Sequence, residues 1–237
     1  AYLKANHPVE FLAALMTLDL GNTDKLNVFR GECDRLGIRL LTPDINRSAV
    51  DFAVEATPQG MAIRYALAAV KGVGAQAMRQ LVEEREARGP FRDLLDLARR
   101  LDAKSVNRRQ FECLAKAGAF DGLNRNRAQT FAACDMLLRH AAAAADERAS
   151  QQVNLFGDGD ASAARGPGLP AVADWPSIER LQHEFDAIGF YLSSHPLDAY
   201  GKSLERLGVV RFADLPARLA GGGATRFRLA GVVIGRK

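Results

Sequence analysis

Apolar residues recur at helical intervals along the first part of this chain. Phe11, Leu12, Leu15 and Met16 form one stripe behind His7-Pro8, a dipeptide suited to a helix start because a proline at the first helical position has no amide to lose. Leu26, Phe29, Cys33 and Leu36 repeat the spacing, with Thr23 as a cap and Gly37 as the stop. Residues 1–49 therefore read as helices. The period then changes. Val50 to Glu55 and Met61 to Leu67 are strand-like around Thr57-Pro58-Gln59-Gly60, which predicts a small β-hairpin. Residues 67–145 return to helix, punctuated at Gly72-Val73-Gly74, at Gly89-Pro90, around Asp102 to Ser105 and around Gly118 to Gly122. Phe91, Leu94, Leu95, Ala98 and Leu101 make one core-facing stripe, and Phe111, Leu114 and Ala115 begin another.

From Ala141 to Trp175 the chain is rich in Ala, Gly, Asp, Ser and Pro without periodicity, which predicts a flexible linker. Helix resumes with Ser177 as cap, Leu181, Phe185 and Ile188 as the apolar face and Gly189 as stop. A further helix after Pro196 is expected to carry Leu197, Tyr200, Leu204 and Leu207. A glycine turn, Gly221-Gly222-Gly223, then leads into a strand from Arg226. The expected fold is mainly α, divided into 1–49, 50–140, 141–176, 177–220 and 221–237. With no methionine at Ala1 and a last residue inside a strand, both ends read as cut.

Composition changes this picture in two respects. Hydrophobic residues make up 48% and charged residues 25%, ordinary for a globular chain, and no apolar run approaches the roughly 20 residues of a membrane span. Cys33, Cys113 and Cys134 are widely separated and odd in number, which fits reduced thiols in a cytoplasmic protein. The net charge of +4 is unevenly placed: residues 61–130 hold 14 Lys/Arg against 8 Asp/Glu, and the remainder 18 against 20. A local basic excess is the footprint of a phosphate-binding module, although an ordinary solvated face has the same composition.

The chemistry-bearing residues fall in that basic block and in the linker. Val70-Lys71-Gly72-Val73-Gly74, followed by an apolar-periodic run to Arg85, resembles a helix-hairpin-helix motif. Two glycines allow a tight reversal, Val73 plugs the gap between helices, and amides at the next helix start can grip a backbone phosphate without reading sequence. Lys71 and Arg79 would add salt-dependent attraction. A plain turn between helices uses the same glycines, so the residues alone leave both readings open. Residues 101–121 repeat the pattern, with Arg108 and Arg109 at a helix start and Lys104 as a further DNA-binding candidate. In the linker, Gln152-Val153-Asn154-Leu155-Phe156 is an apolar island. It resembles the pentapeptide by which bacterial proteins bind the sliding clamp, with Gln152 at the rim and Leu155 and Phe156 in an apolar pocket. Docking back onto its own chain is the competing reading. Asp158 and Asp160, in a glycine-rich stretch, read as a solubilising spacer, and His7, His140, His183 and His195 lack ligand spacing. No catalytic or metal-binding residue is assigned.

Taken in order, these segments resemble bacterial replicative DNA polymerases of the DnaE type, the alpha subunits of DNA polymerase III in the C family. The likeness rests on residues 1–15, on Ile63-Arg64-Tyr65-Ala66-Leu67 with the glycine hairpin, on Asn107-Arg108-Arg109 and Ala117-Gly118-Ala119-Phe120-Asp121, on the clamp peptide, and on Leu181 to Leu197. The resemblance implies the end of a fingers region, tandem helix-hairpin-helix motifs, a clamp-binding linker and the start of an OB β-barrel. It also implies duplex and primer-template DNA, the sliding clamp and other holoenzyme subunits as partners, and magnesium for the full-length family member. The palm aspartates that hold magnesium would lie before Ala1, so this segment by itself is expected to be inactive and to hold no cofactor. An error-prone relative lacking the clamp peptide, and a free-standing repair adaptor with no palm, are the alternatives.

Overall fold

A computed structural model describes residues 2–102, 105–150 (149 and 150 in backbone only), 168–220 and 226–233. The described chain is mainly helical and divides into two compact units, Ala1–Leu192 and Ser193–Lys237.

The first unit opens with α1 (Tyr2–Asn6), α2 (Pro8–Leu18) and α3 (Thr23–Arg35). Pro8 takes the first position of α2 as expected, and Leu12, Ala13 and Met16 are buried. The cap of α3 is Asn22, whose side chain accepts from the Lys25 amide at 3.1 Å, so the helix begins one residue earlier than a Thr23 cap implies. Leu26 and Cys33 face the core while Leu36 is exposed. Gly37, at φ 69°, reverses the chain into β1 (Arg39–Leu41), a strand the periodicity does not announce, because three residues are too few to show an alternation.

The predicted hairpin is present as β2 (Ala53–Thr57) and β3 (Gly60–Arg64), antiparallel with Thr57 opposite Gly60. β3 also pairs in parallel with β1, Arg39 opposite Ala62, giving the order β1-β3-β2. As the central strand, β3 buries Ala62 and Ile63 completely. The connection between β1 and β2 is pinned to the core by hydrogen bonds. The Asn46 amide exchanges two 2.8 Å hydrogen bonds with the Phe91 backbone, and Arg85 donates to the carbonyls of Ile45 and Ser48.

Helices α4 (Ala75–Arg88), α5 (Leu94–Arg100), α6 (Arg108–Ala117), α7 (Arg127–Ala132), α8 (Cys134–Ser150) and α9 (Ser177–Ile188) complete this unit. One contiguous core runs from Leu12 to Phe190 and includes Phe91, Leu94, Leu97, Ala98, Phe111 and Leu114. Two expectations need correction. The linker does not begin at residue 141: α8 continues to Ser150, and Ala141 is fully buried. Alanine is the strongest helix former, so a run that looks featureless in composition propagates a helix already packed at its start. Nor does it extend to 176, because residues 168–176 lie against α7. Gln129 donates to the Pro170 carbonyl, Asn126 to that of Val172, and the Asp174 carboxylate accepts from the Ala128 amide. On α9, Ser177 is the first helical residue and makes no cap; Phe185 is half-buried, and Glu184 occupies the core face in its place.

In the second unit the helix expected after Pro196 is divided into a 3₁₀ turn (Pro196–Tyr200) and α10 (Gly201–Arg206), and Tyr200 and Leu207 are exposed. A second 3₁₀ turn (Phe212–Asp214) precedes α11 (Leu215–Ala220). Among the described residues after 225 there is one isolated bridge, Arg228 with Val209, where a strand is expected. The described part therefore does not display the start of an OB barrel.

Candidate nucleic-acid interface

The two hairpin candidates, about 30 residues apart in sequence, meet in space. In the first, a 3₁₀ turn (Leu67–Ala69) stands where the leading helix of the motif is expected, and Gly72 at φ 74° makes the reversal. That value needs glycine. Val73 is buried as the plug, and Gly74 takes the N-cap position of α4 without a side chain to satisfy its first amides. In the second, α5 leads to a turn in which Val106 is buried, and α6 begins at Arg108. Each valine lies two residues before its helix, so both turns are plugged at the same register.

The hairpin apices touch. A Cβ placed on Gly72 would lie 3.4 Å from Arg109 Nε and 3.7 Å from Cys113 Sγ, and one on Gly74 would lie 3.1 Å from Gln110 Nε2. A groove of about 330 Å³ between them is lined by Gly74, Gln76, Gln80, Asp102, Ser105 and Gln110. Burial raises the pKa of the Cys113 thiol, so it stays protonated beside the turn at neutral pH.

The two helix starts differ. Asn107 accepts from the Gln110 amide while the Gln110 side chain accepts from the Asn107 amide, a capping box that closes the start of α6 from within. The start of α4 has no such cap. Within the first turn, the Lys71 amide is already committed to the Ala187 carbonyl at the end of α9, at 2.8 Å, and the Val73 amide to Val70. Among the described residues the Gly72 and Gly74 amides and those at the start of α4 have no such backbone partner and remain for an incoming phosphate.

The cations sort into two sets. Lys71, Arg79 and Arg109 are exposed, and none makes an ion pair among the described residues. Arg108 is exposed but held by Glu112 at 2.7 Å and by both oxygens of Asp135 at 2.9 and 2.7 Å. The hydrogen bond to Glu112, then the charge of Asp135, raises its pKa further, so its charge is largely answered within the chain. Lys104 lies outside the described residues, as do Gln152, Leu155 and Phe156. Much of the basic excess is structural: Arg64 pairs with Glu55, Arg100 with Glu84 across the face of Phe91, and Arg127 with Asp121 and Glu184.

That last set is a buried network the periodicity does not reveal. Arg127 is 3% exposed, contacts Asp121 at 2.7–3.1 Å and Glu184 at 3.4 Å, and donates to the Lys116 carbonyl. Burial alone would lower its pKa; the hydrogen bond and charge of Asp121, then those of Glu184, outweigh it and raise it. Glu184, itself fully buried, also accepts the Leu192 amide at 2.7 Å. Gly118 is obligatory here, since a Cβ would come within 2.1 Å of Arg127 Nη2 at a φ of 82°. The signal in the sequence is Glu184 itself, a carboxylate three residues after Leu181 and four before Ile188 on the apolar face of α9.

Among the described residues no group of three or more His, Cys, Asp or Glu side chains could hold a metal ion. Glu112 and Asp135 beside the second hairpin are held by Arg108, so these donors do not fit the magnesium centre implied for the full-length family. No described helix is long and apolar enough to cross a membrane, and the three cysteines are unpaired.

Comparison with known proteins agrees with this geometry. A family model described as the helix-hairpin-helix motif matches residues 37–130, the sheet and both hairpins. A DNA polymerase III subunit alpha of Caulobacter vibrioides is 46% identical over 233 residues, 98% of this chain and 20% of the relative. Proteins of the same name from Bacillus subtilis, 38% identical over 89% of the chain, and Thermus aquaticus, 40% over 84%, cover 18% and 16% of their own lengths. The chain spans about one-fifth the length of the curated relatives it matches. By this continuous likeness, the chain belongs to the DNA polymerase III alpha subunit family.

Proposed function

We propose that this chain holds duplex DNA for a replicative polymerase through its paired hairpins, and tethers that polymerase to the sliding clamp through Gln152, Leu155 and Phe156. Synthesis itself, with its magnesium, belongs to parts of the family beyond these residues. The observation that carries the reading is the meeting of the two hairpins. The uncapped start of α4, Lys71 and Arg79 are joined by Arg109 from the second motif, so the amides of the first motif and cations from both serve one surface. Phosphate contacts of this kind fix position without sequence preference. Arg108 contributes less than its place at the helix start implies, because Asp135 and Glu112 already neutralise it.

The test is fluorescence anisotropy with two duplexes of unrelated sequence. Similar affinity for both is expected, falling steeply with salt, with the slope of log affinity against log salt reduced by about 1 in Lys71→Ala and again in Arg109→Ala. Replacing Gly72 and Gly74 with bulky residues should also weaken binding. Salt-insensitive binding, or binding untouched by all of these changes, would discard the reading.

A further inference from the structure

We infer that the phosphate-binding surface extends beyond the hairpins onto α3, with Arg30 as a further cation in line with Arg109 and Lys71. This rests on the proposed duplex binding. The end of α9 joins Lys71 to Arg30. Lys71 reaches it twice: its amide donates to the Ala187 carbonyl, and its ammonium lies 2.9 Å from where a Cβ of Gly189 would stand. The other neighbour of that position is Thr23, in the first turn of α3, at 2.1 Å, so α3, α9 and the hairpin turn converge on Gly189. The next residue, Phe190, is buried, and the Arg30 guanidinium lies 6.0 Å from its ring centroid. Arg30 and Lys71 thus flank adjacent residues, while Arg109 lies over Gly72, next to Lys71. The cations follow one path from α6 across the hairpin to α3.

The chemistry of Arg30 suits a phosphate more than a purely internal role. Its side chain is one-third exposed, and its ion pair, to Asp34 one turn on, is long at 3.5 Å with the aspartate 63% exposed. A pair this exposed on its acidic side is weak and readily exchanged for a phosphate, while the Phe190 ring offers the guanidinium a cation–π contact that a phosphate does not compete for. Cations that follow one another along a surface, beside the α4 amides, are what holding successive phosphates of a duplex requires.

Anisotropy on the full chain, with a long duplex and one short enough to cover only the hairpins, tests this. Arg30→Ala should weaken binding of the long duplex roughly three- to tenfold and lower its salt slope by about 1, with little effect on the short one. Arg30→Lys should keep most of the affinity. Asp34→Asn, which frees Arg30 without touching the core, should strengthen binding, a change that loss of packing could not produce. If Lys71→Ala and Arg109→Ala weaken binding while Arg30→Ala and Asp34→Asn leave both duplexes unaffected, α3 is not part of the surface and the hairpin reading stands. If none of the four matters, the hairpin reading fails with it. A thermal melt of each variant separates unfolding from lost contact, and Asp34→Asn decides the matter should Arg30→Ala prove unstable.

Discussion

Arg127 and Arg108 show how one residue type does opposite work according to burial. Arg127 is enclosed, and Asp121 and Glu184 answer its charge across stretches of 6 and 57 residues. Removing one partner leaves a buried cation short of hydrogen bonds, a change that costs roughly 3–5 kcal/mol. Asp121→Ala should therefore lower the urea midpoint markedly. Arg108→Ala, which releases the exposed Asp135 and Glu112, should cost under about 1 kcal/mol. Comparable midpoints for the two variants would mean that the Arg127 cage carries no special weight. The sequence shows both arginines equally well, but only Glu184 on an apolar helix face hints at which is enclosed.

Among the elements, residues 168–176 depart furthest from expectation. The Trp175 ring lies tilted against the His183 ring on α9, centroids 4.0 Å apart, and Phe131 of α7 lies 5.7 Å from Trp175. Burial, then the charge of Lys116, lowers the pKa of His183 despite Glu179 nearby, and its Nδ1 is buried without a partner. A folded-state pKa below the ordinary value of about 6.5 means that the packing is fully stable above that pH and loses stability as pH falls through the folded value. Trp175 is the sole tryptophan, so its emission reports this contact directly. Acid titration of the folded chain should change the emission with a midpoint below about 6.5, and His183→Gln should abolish the transition. A midpoint at or above 6.5 would contradict the sign argued here. Composition reads this stretch as linker because its anchors, one aromatic ring and a few carbonyls bonded by α7, leave no period.

For the molecule as a whole, tethering to the clamp would act together with DNA binding. Leu155 and Phe156, each contributing roughly 1.5–3 kcal/mol when buried in a partner's pocket, supply modest affinity that a shared duplex reinforces by making the second contact intramolecular. The double substitution to Ala should weaken binding to an immobilised bacterial clamp by at least about 100-fold in surface plasmon resonance, with duplex binding unchanged. Clamp binding equal to that of the parent chain would place the contact elsewhere. At this scale the sequence by itself determined the mainly helical class, the β2–β3 hairpin, the glycine turns and the plug at Val73, because periodicity and backbone preference are local properties of a segment. Tertiary structure alone decided which cations stay available. Arg108 is neutralised by a carboxylate 27 residues away, Arg127 is enclosed by one 57 residues away, and Arg30 and Lys71, 41 residues apart, lie beside adjacent residues at the end of α9. Charge counts along a chain do not record such pairings, because an ion pair depends on which elements approach one another and how far water is excluded between them.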